Sequence, residues 1–164
     1  MSTPYLVPIE AFLKRIEEDR NFFNYLNLTD DEAMEIAYSR AKNFLFEAIG
    51  ELTLKCTPII DFYDTDDVLE EFTSDWTGQE VYLISSLMYQ QYLDRDIAKL
   101  KCLSVNYTST DLRVFDPSNA RTTYKALYDT VCSKNLQSID DYASRDRLTG
   151  KLIGINFSSY DESE

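Results

Sequence analysis

The chain has 164 residues, 44% of them hydrophobic, which fills one core and leaves too little for a second full-sized domain. Asp and Glu number 29 against 16 Lys and Arg, so the formal charge of -13 repels duplex DNA from most of the surface and speaks against sequence-specific DNA binding. There is no histidine, which removes Ser-His-Asp and Cys-His nucleophile arrangements, His-ligated zinc and the usual neutral-pH general base.

Cys56, Cys102 and Cys132 are odd in number, far apart and without a C-x-x-C pair, so three reduced thiols are expected rather than a disulfide framework or a zinc knuckle. The first twelve residues lack a basic region and a long apolar run, and no stretch approaches the ~18 apolar residues a membrane span needs. The expectation is a soluble protein made in a cytoplasm, in which the N-x-[ST] matches at Asn27, Asn106 and Asn156 carry no weight.

Long periodic stretches between only four Gly and four Pro predict a mainly helical domain. Pro8 opens the first predicted helix, with Ile9, Phe12, Leu13 and Ile16 on one face and an end near Asn21. Thr29-Asp30-Asp31-Glu32 is a capping box for a second helix, whose apolar stripe of Ala33, Ile36, Ala37, Ala41, Phe44, Leu45 and Ala48 runs to a predicted stop at Gly50. Residues 51–76 read as a connector with one short helix, crowded with Asp61, Asp64, Asp66, Asp67, Glu70 and Glu71. A second capping box, Thr77-Gly78-Gln79-Glu80, starts a long helix to about Lys101. Its apolar residues point in almost every direction, so it must be covered on several sides, as a central core helix or in part by another subunit.

Leu103, Val105 and Tyr107 alternate with polar residues, and after a turn at 109–111 an extended composition resumes, predicting a hairpin-like loop between two helices. Asp116-Pro117 caps the next helix, with Ala120, Tyr124, Leu127, Tyr128, Val131 and Cys132 inward, a break near 133–135 and a continuation over 137–144. Residues 151–157 are apolar, β-branched and strand-like but alone, so they are expected to pair with another edge or a neighbouring chain. The fold class is therefore mainly α: a small helical bundle over 1–145, with an extended loop between two long helices, and an extended docking tail over 146–164.

No pattern of catalysis emerges. Asp61, Asp64, Asp66 and Asp67 invite a cation, but an EF-hand loop counted from Asp64 places Leu69 where glycine is required, and a solvated acidic face is the simpler reading. Carboxylate pairs for glycoside hydrolysis occur by coincidence among 29 acids, and no Gly-rich phosphate loop or nucleophile elbow is present. Lys14-Arg15, Lys99 with Lys101, and Arg145 with Arg147 are basic clusters diluted by acids, not a nucleic-acid footprint. No metal, cofactor or catalytic residue is assigned. The twelve tyrosines and nine phenylalanines either fill the core or sit at contacts, with Tyr107, Phe115, Phe157 and Tyr160 the contact candidates because they lie in extended segments.

The order of elements, carried by Glu80 to Met88 leading into Tyr92-Leu93, then Asn106-Tyr107-Thr108-Ser109-Thr110-Asp111-Leu112, then Ala120 to Tyr128, resembles the small head-tail adaptor (connector, head-completion) proteins of tailed bacteriophages. The resemblance spans about 29–142. It implies a non-enzymatic structural virion protein, assembled in the host cytoplasm, that forms a ring of typically about twelve copies beneath the portal protein. The ring extends the DNA channel toward the stopper, tail-completion protein or tail, with DNA passing through and not specifically bound. By position it implies an inter-subunit or channel-facing loop at Asn106, Tyr107, Asp111, Leu112, Arg113, Val114 and Phe115, and docking on the portal or a neighbour through Leu152, Ile153, Ile155, Phe157 and Tyr160. The helical body, through Val81, Ile84, Met88 and Tyr92, packs against its ring neighbours. Residues before Thr29 and after Phe157 have no counterpart in the family.

Two other classes compete. An acidic protein-binding module, such as a DNA-mimic inhibitor acting on a basic partner, predicts a regular stripe of carboxylates and salt-sensitive affinity. A carboxylate-only hydrolase predicts a concave pocket holding two acids of divergent pKa.

Overall fold

The computed structural model describes residues 2–17, 22, 28–106 and 117–154, with the backbone alone described for 100–106 and 117–121. Among the described residues the protein is mainly α-helical, with a small three-stranded sheet. The elements are β1 (Thr3–Pro4), α1 (Leu6–Leu13), α2 (Asp30–Lys55), β2 (Thr65–Asp66), β3 (Glu71–Phe72), α3 (Gly78–Asn106) and α4 (Pro117–Ser144).

Helix α1 begins two residues before Pro8, which is its third residue. Pro8 is tolerated there because a first-turn N–H has no intrahelical partner to lose. Helix α2 opens on the predicted capping box: the Glu32 amide donates to Thr29 Oγ1 at 3.4 Å, and the Thr29 amide donates to the Glu32 carboxylate at 2.9 Å. It does not stop at Gly50. A glycine costs about 1 kcal/mol within a helix, and continuing to Lys55 buries Leu52 completely. Such burial contributes roughly 1.5–3 kcal/mol, so the helix runs on.

Helix α3 starts at the second capping box, with the Glu80 amide on Thr77 Oγ1 at 3.3 Å and the Thr77 amide on Glu80 Oε2 at 2.6 Å. Its all-round apolar character is explained by its place, since α1, α2 and α4 all pack against it. It runs antiparallel to α2, where Glu51 meets Gln90 and Gln91 while Phe44 meets Arg95, and antiparallel to α4, where Glu80 meets Tyr142 and Ser86 meets Asn135. Its backbone stays helical to Asn106, so Leu103 and Val105 do not begin the predicted extended loop. The remainder of that loop lies outside the described residues. Helix α4 is unbroken, and the predicted interruption at 133–135 is absent because Asn135 has buried partners on α3.

The acidic connector carries no helix but two strands, and the N-terminal arm completes the sheet in the order β1-β3-β2, antiparallel throughout. Thr3 and Thr65 both pair with Phe72, while Pro4 and Asp66 pair with Glu71; Pro4 lies on an edge strand, where a missing N–H is harmless. The sheet shelters an aromatic cluster: Phe72 stacks on Trp76 with centroids 4.1 Å apart, Phe62 meets Trp76 at 4.9 Å, and Tyr5 meets Phe72 at 4.7 Å. A second cluster joins Phe12, Phe22, Phe44 and Tyr92, with Arg95 lying over three of these rings. Many of the aromatic residues are therefore core.

The connector's acids build its turns. Asp61 accepts from the Tyr63 amide at 2.8 Å, Asp66 accepts from the Val68 and Leu69 amides at 2.9 and 3.1 Å, Asp64 accepts from the Thr73 hydroxyl, and Asp67 accepts from the Tyr5 hydroxyl at 3.1 Å. Glu70 closes the β2–β3 turn with φ of 53°, a left-handed conformation that costs a non-glycine residue of order 1 kcal/mol. Three contacts hold it there: Lys42 Nζ at 2.7 Å and Tyr38 Oη at 3.1 Å on its carboxylate, and the Tyr5 amide on its carbonyl at 2.9 Å. Burial, then the hydrogen bond to the Glu70 carboxylate, push the Tyr38 phenol up to about 12.

Candidate functional site

Glu80 is where the C-terminal segment is fastened to the bundle. The N3 position of a capping box brings its carboxylate back to Thr77, and at this depth the side chain is fully buried. Five donors converge on it: the Thr77 amide (2.6 Å) and hydroxyl (2.9 Å), Tyr142 Oη from α4 (3.0 Å), and Arg147 Nε (2.6 Å) and Nη2 (3.0 Å) from beyond α4. Arg147 Nη2 also donates to the Asp75 carbonyl. Burial pushes the Glu80 pKa up, but Arg147, Thr77 and Tyr142 together outweigh it and leave the carboxyl below the ordinary glutamate value. Burial beside this carboxylate holds the Tyr142 phenol in its neutral form, as a donor.

Beyond Arg147 the chain doubles back. Arg145 and Leu152 form an antiparallel bridge, the Asp146 amide donates to the Lys151 carbonyl at 2.7 Å, and the Ile153 amide donates to the Ser144 carbonyl at 2.8 Å. Gly150, at φ of 65°, supplies the left-handed residue the turn needs, and Asp146 caps it through the Thr149 hydroxyl and amide at 2.6 and 2.8 Å. Those two contacts hold the Asp146 carboxyl below its ordinary value, the hydroxyl contributing most. The turn presents Leu148 (82% exposed), Leu152 (67%) and Ile153 (56%) to solvent.

A polar seam crosses the middle of the bundle. Asn135, 1% exposed, receives the Ser86 hydroxyl on Oδ1 at 2.6 Å and donates through Nδ2 to Gln90 Oε1 at 2.8 Å and the Ser86 carbonyl at 3.2 Å. Gln90 and Gln91 in turn donate to Glu51 at 2.8 and 2.5 Å, and Lys55 pairs with Glu51 at 2.5 Å. Beside the seam, a groove of about 430 Å³ opens where the end of α1 meets α3 and α4, lined by Arg15, Ile16, Tyr89, Leu93, Tyr124 and Leu127. The Arg15 guanidinium lies 4.7 Å over the Tyr82 ring.

The residues assigned by sequence are distributed as follows. Ile84 and Met88 are fully buried and Tyr92 nearly so, all inside one chain, and Val81 is half-buried against the same core. The chain's own α1, α2 and α4 cover this helix, so these side chains need no ring neighbour. Leu152 and Ile153 are exposed on the fastened turn, so 146–154 is a mounted element of the body and not a free tail. Asn106 ends α3 with its backbone alone described; Tyr107, Asp111, Leu112, Arg113, Val114, Phe115, Ile155, Phe157 and Tyr160 lie outside the described residues.

Sequence reasoning missed three things. Glu80 read only as a cap and Arg147 only as a diluted basic cluster, because partners 67 residues apart leave no local signal. Asn135 read as a helix breaker. Val68-Leu69, an aliphatic pair set in a run of carboxylates, was legible as an anomaly, and at 91% and 65% exposure it is one.

Cys56 and Cys132 are unpaired, and burial pushes both thiols up, away from the reactive thiolate. Among the described residues no group of three His, Cys, Asp or Glu could hold a metal ion, and no helix is long and apolar enough to cross a membrane. No protein family matches the chain, and neither a curated protein nor a solved structure matches it.

Proposed function

We propose that this chain is a non-catalytic structural protein of the head-tail connector type: a ring-forming adaptor at a portal vertex that joins the portal to the tail or stopper around a DNA channel. The observation that carries the reading is the fastened C-terminal turn. A solvent-facing trio of Leu148, Leu152 and Ile153 is anchored through Arg147 to a carboxylate in the bundle interior. Apolar side chains mounted rigidly outside a completed core lose little entropy on contact, which is what a permanent assembly element requires. The net charge of -13 supports the channel part of the proposal, because a lining that does not grip phosphate lets DNA slide.

The buried face of the long helix does not contribute to this reading, since Ile84, Leu87, Met88 and Tyr92 are enclosed within the monomer. The acidic DNA-mimic reading is weakened, because Asp61, Asp64, Asp66 and Asp67 accept turn and side-chain hydrogen bonds where a mimic needs carboxylates arrayed as a free stripe.

The test is binding to tail-less capsids that carry a portal but lack this protein, scored by co-sedimentation and by mass from light scattering. Wild type is expected to bind and Leu152→Asp with Ile153→Asp to lose binding while melting like wild type. Wild type failing to bind portal-bearing particles, or binding a basic protein with steep salt dependence, overturns the proposal.

A further inference from the structure

The β2–β3 turn combines three features. Val68 and Leu69 are adjacent and exposed at 91% and 65%; their two backbone amides are both held by Asp66 Oδ1; and the next residue, Glu70, is kept in a left-handed conformation by Lys42, Tyr38 and the Tyr5 amide. A strained turn held from three sides is preorganised. The side chains it displays are aliphatic, and their rim is acidic, with Asp66, Asp67 and Glu71 around them, while the charge of Glu70 is paired with Lys42.

The complement of this knob is on the same chain. The groove between the end of α1, α3 and α4 is walled by Ile16, Tyr89, Tyr124 and Leu127, and its volume of about 430 Å³ accommodates two aliphatic side chains. Its cation, Arg15, stacks on Tyr82, and no carboxylate pairs with it among the described residues. Knob and groove cannot meet within one molecule: the knob is held on α2 next to Tyr5, ahead of α1, whereas the groove lies past the other end of α1 and against α4. Contact between two different patches of identical chains is head-to-tail, which builds a ring when the rotation closes and an open filament when it does not.

We propose that Val68 and Leu69 of one copy dock in the groove of a second copy, with the acidic rim meeting Arg15. The inference rests on the ring reading above and supplies its subunit contact.

Two variants test it by sedimentation velocity across a concentration series: Val68→Ser with Leu69→Ser, which removes the knob, and Leu127→Glu, which puts a carboxylate into the groove wall. All three positions are exposed, and unchanged circular dichroism melts verify folding. Wild type is expected to assemble beyond a dimer. Each variant alone is expected to sediment as a 19.1 kDa monomer, its association weakened about 100-fold or more by the loss of two buried aliphatic side chains or by an unpaired charge. An equimolar mixture keeps one intact knob and one intact groove, so it should form a dimer and nothing larger.

Either variant assembling as wild type does, or a mixture that stays monomeric, overturns the contact and leaves the ring reading standing. A wild type that is monomeric at every concentration also overturns it, while the connector function is still judged by binding to portal-bearing particles.

Discussion

Arg147→Ala tests the fastening of the C-terminal segment. The substitution removes two of five donors from a carboxylate that is fully buried, together with the cation that pairs with it at 2.6 Å. Breaking a buried pair from one side strands the remaining charge and costs about 3–5 kcal/mol. The guanidinium keeps some contact with solvent, which places the expected loss at the lower end, about 3 kcal/mol. For a chain of this size that lowers the melting temperature by roughly 6–12 °C.

The pH dependence has a defined sign. Glu80 titrates below its ordinary value in the folded chain, so its stabilisation is complete above the unfolded value of 4.5 and is lost as pH falls through the folded value. The gap between wild type and variant should therefore be widest above about pH 5 and close in acid, where both carry a protonated Glu80. Urea unfolding followed by helical circular dichroism from pH 3 to 8 measures this, and Glu80→Gln in the Arg147→Ala background should recover part of the loss. A loss under about 1 kcal/mol, the range of exposed ion pairs, or a gap that ignores pH, refutes the account.

Asn135→Ala should cost about 2 kcal/mol in urea unfolding, because it leaves buried groups of Ser86 and Gln90 without their partner. Leu87→Ala, at a fully buried position, should cost about 2–5 kcal/mol in the isolated chain, and a loss below 1 kcal/mol would move that side chain out of the monomer core. At Gly150 an added Cβ meets nothing within 4 Å, so Gly150→Ala should lose only about 1 kcal/mol, from the positive φ alone. A chain ending at Gly150 should stay within about 1 kcal/mol of full length, whereas one ending at Ser144 should fall as far as Arg147→Ala; equal stability of the two would deny the fastening.

The helices were legible because their signals are local. Two capping boxes place a hydroxyl and a carboxylate three residues apart, and both starts at Thr29 and Thr77 appear as read. Helix ends were less legible, because tertiary burial decides them: Leu52 carries α2 past Gly50, and buried partners carry α4 through Asn135. The sheet was invisible in sequence, since strands of two residues have no period and Thr3 and Phe72 become neighbours only after folding. Ring packing through Ile84 and Met88 was inferred from an apolar circumference that has two explanations, enclosure by the same chain or by another. Sequence cannot choose between them, and three packed helices do. The acidic connector was legible in composition but not in purpose, because a carboxylate that builds a turn and one that faces water are spelled alike.

Tension applied to the exposed end of the turn is divided between two anchors, the first being the Ser144 carbonyl at the end of α4, which the Ile153 amide holds. The second is the guanidinium of Arg147, which passes the load to the first turn of α3, on which α1, α2 and α4 pack, and to Tyr142 alongside. The pull is then borne as shear across several interhelical seams at once, with the Asn135 network opposing slip of one helix along the next.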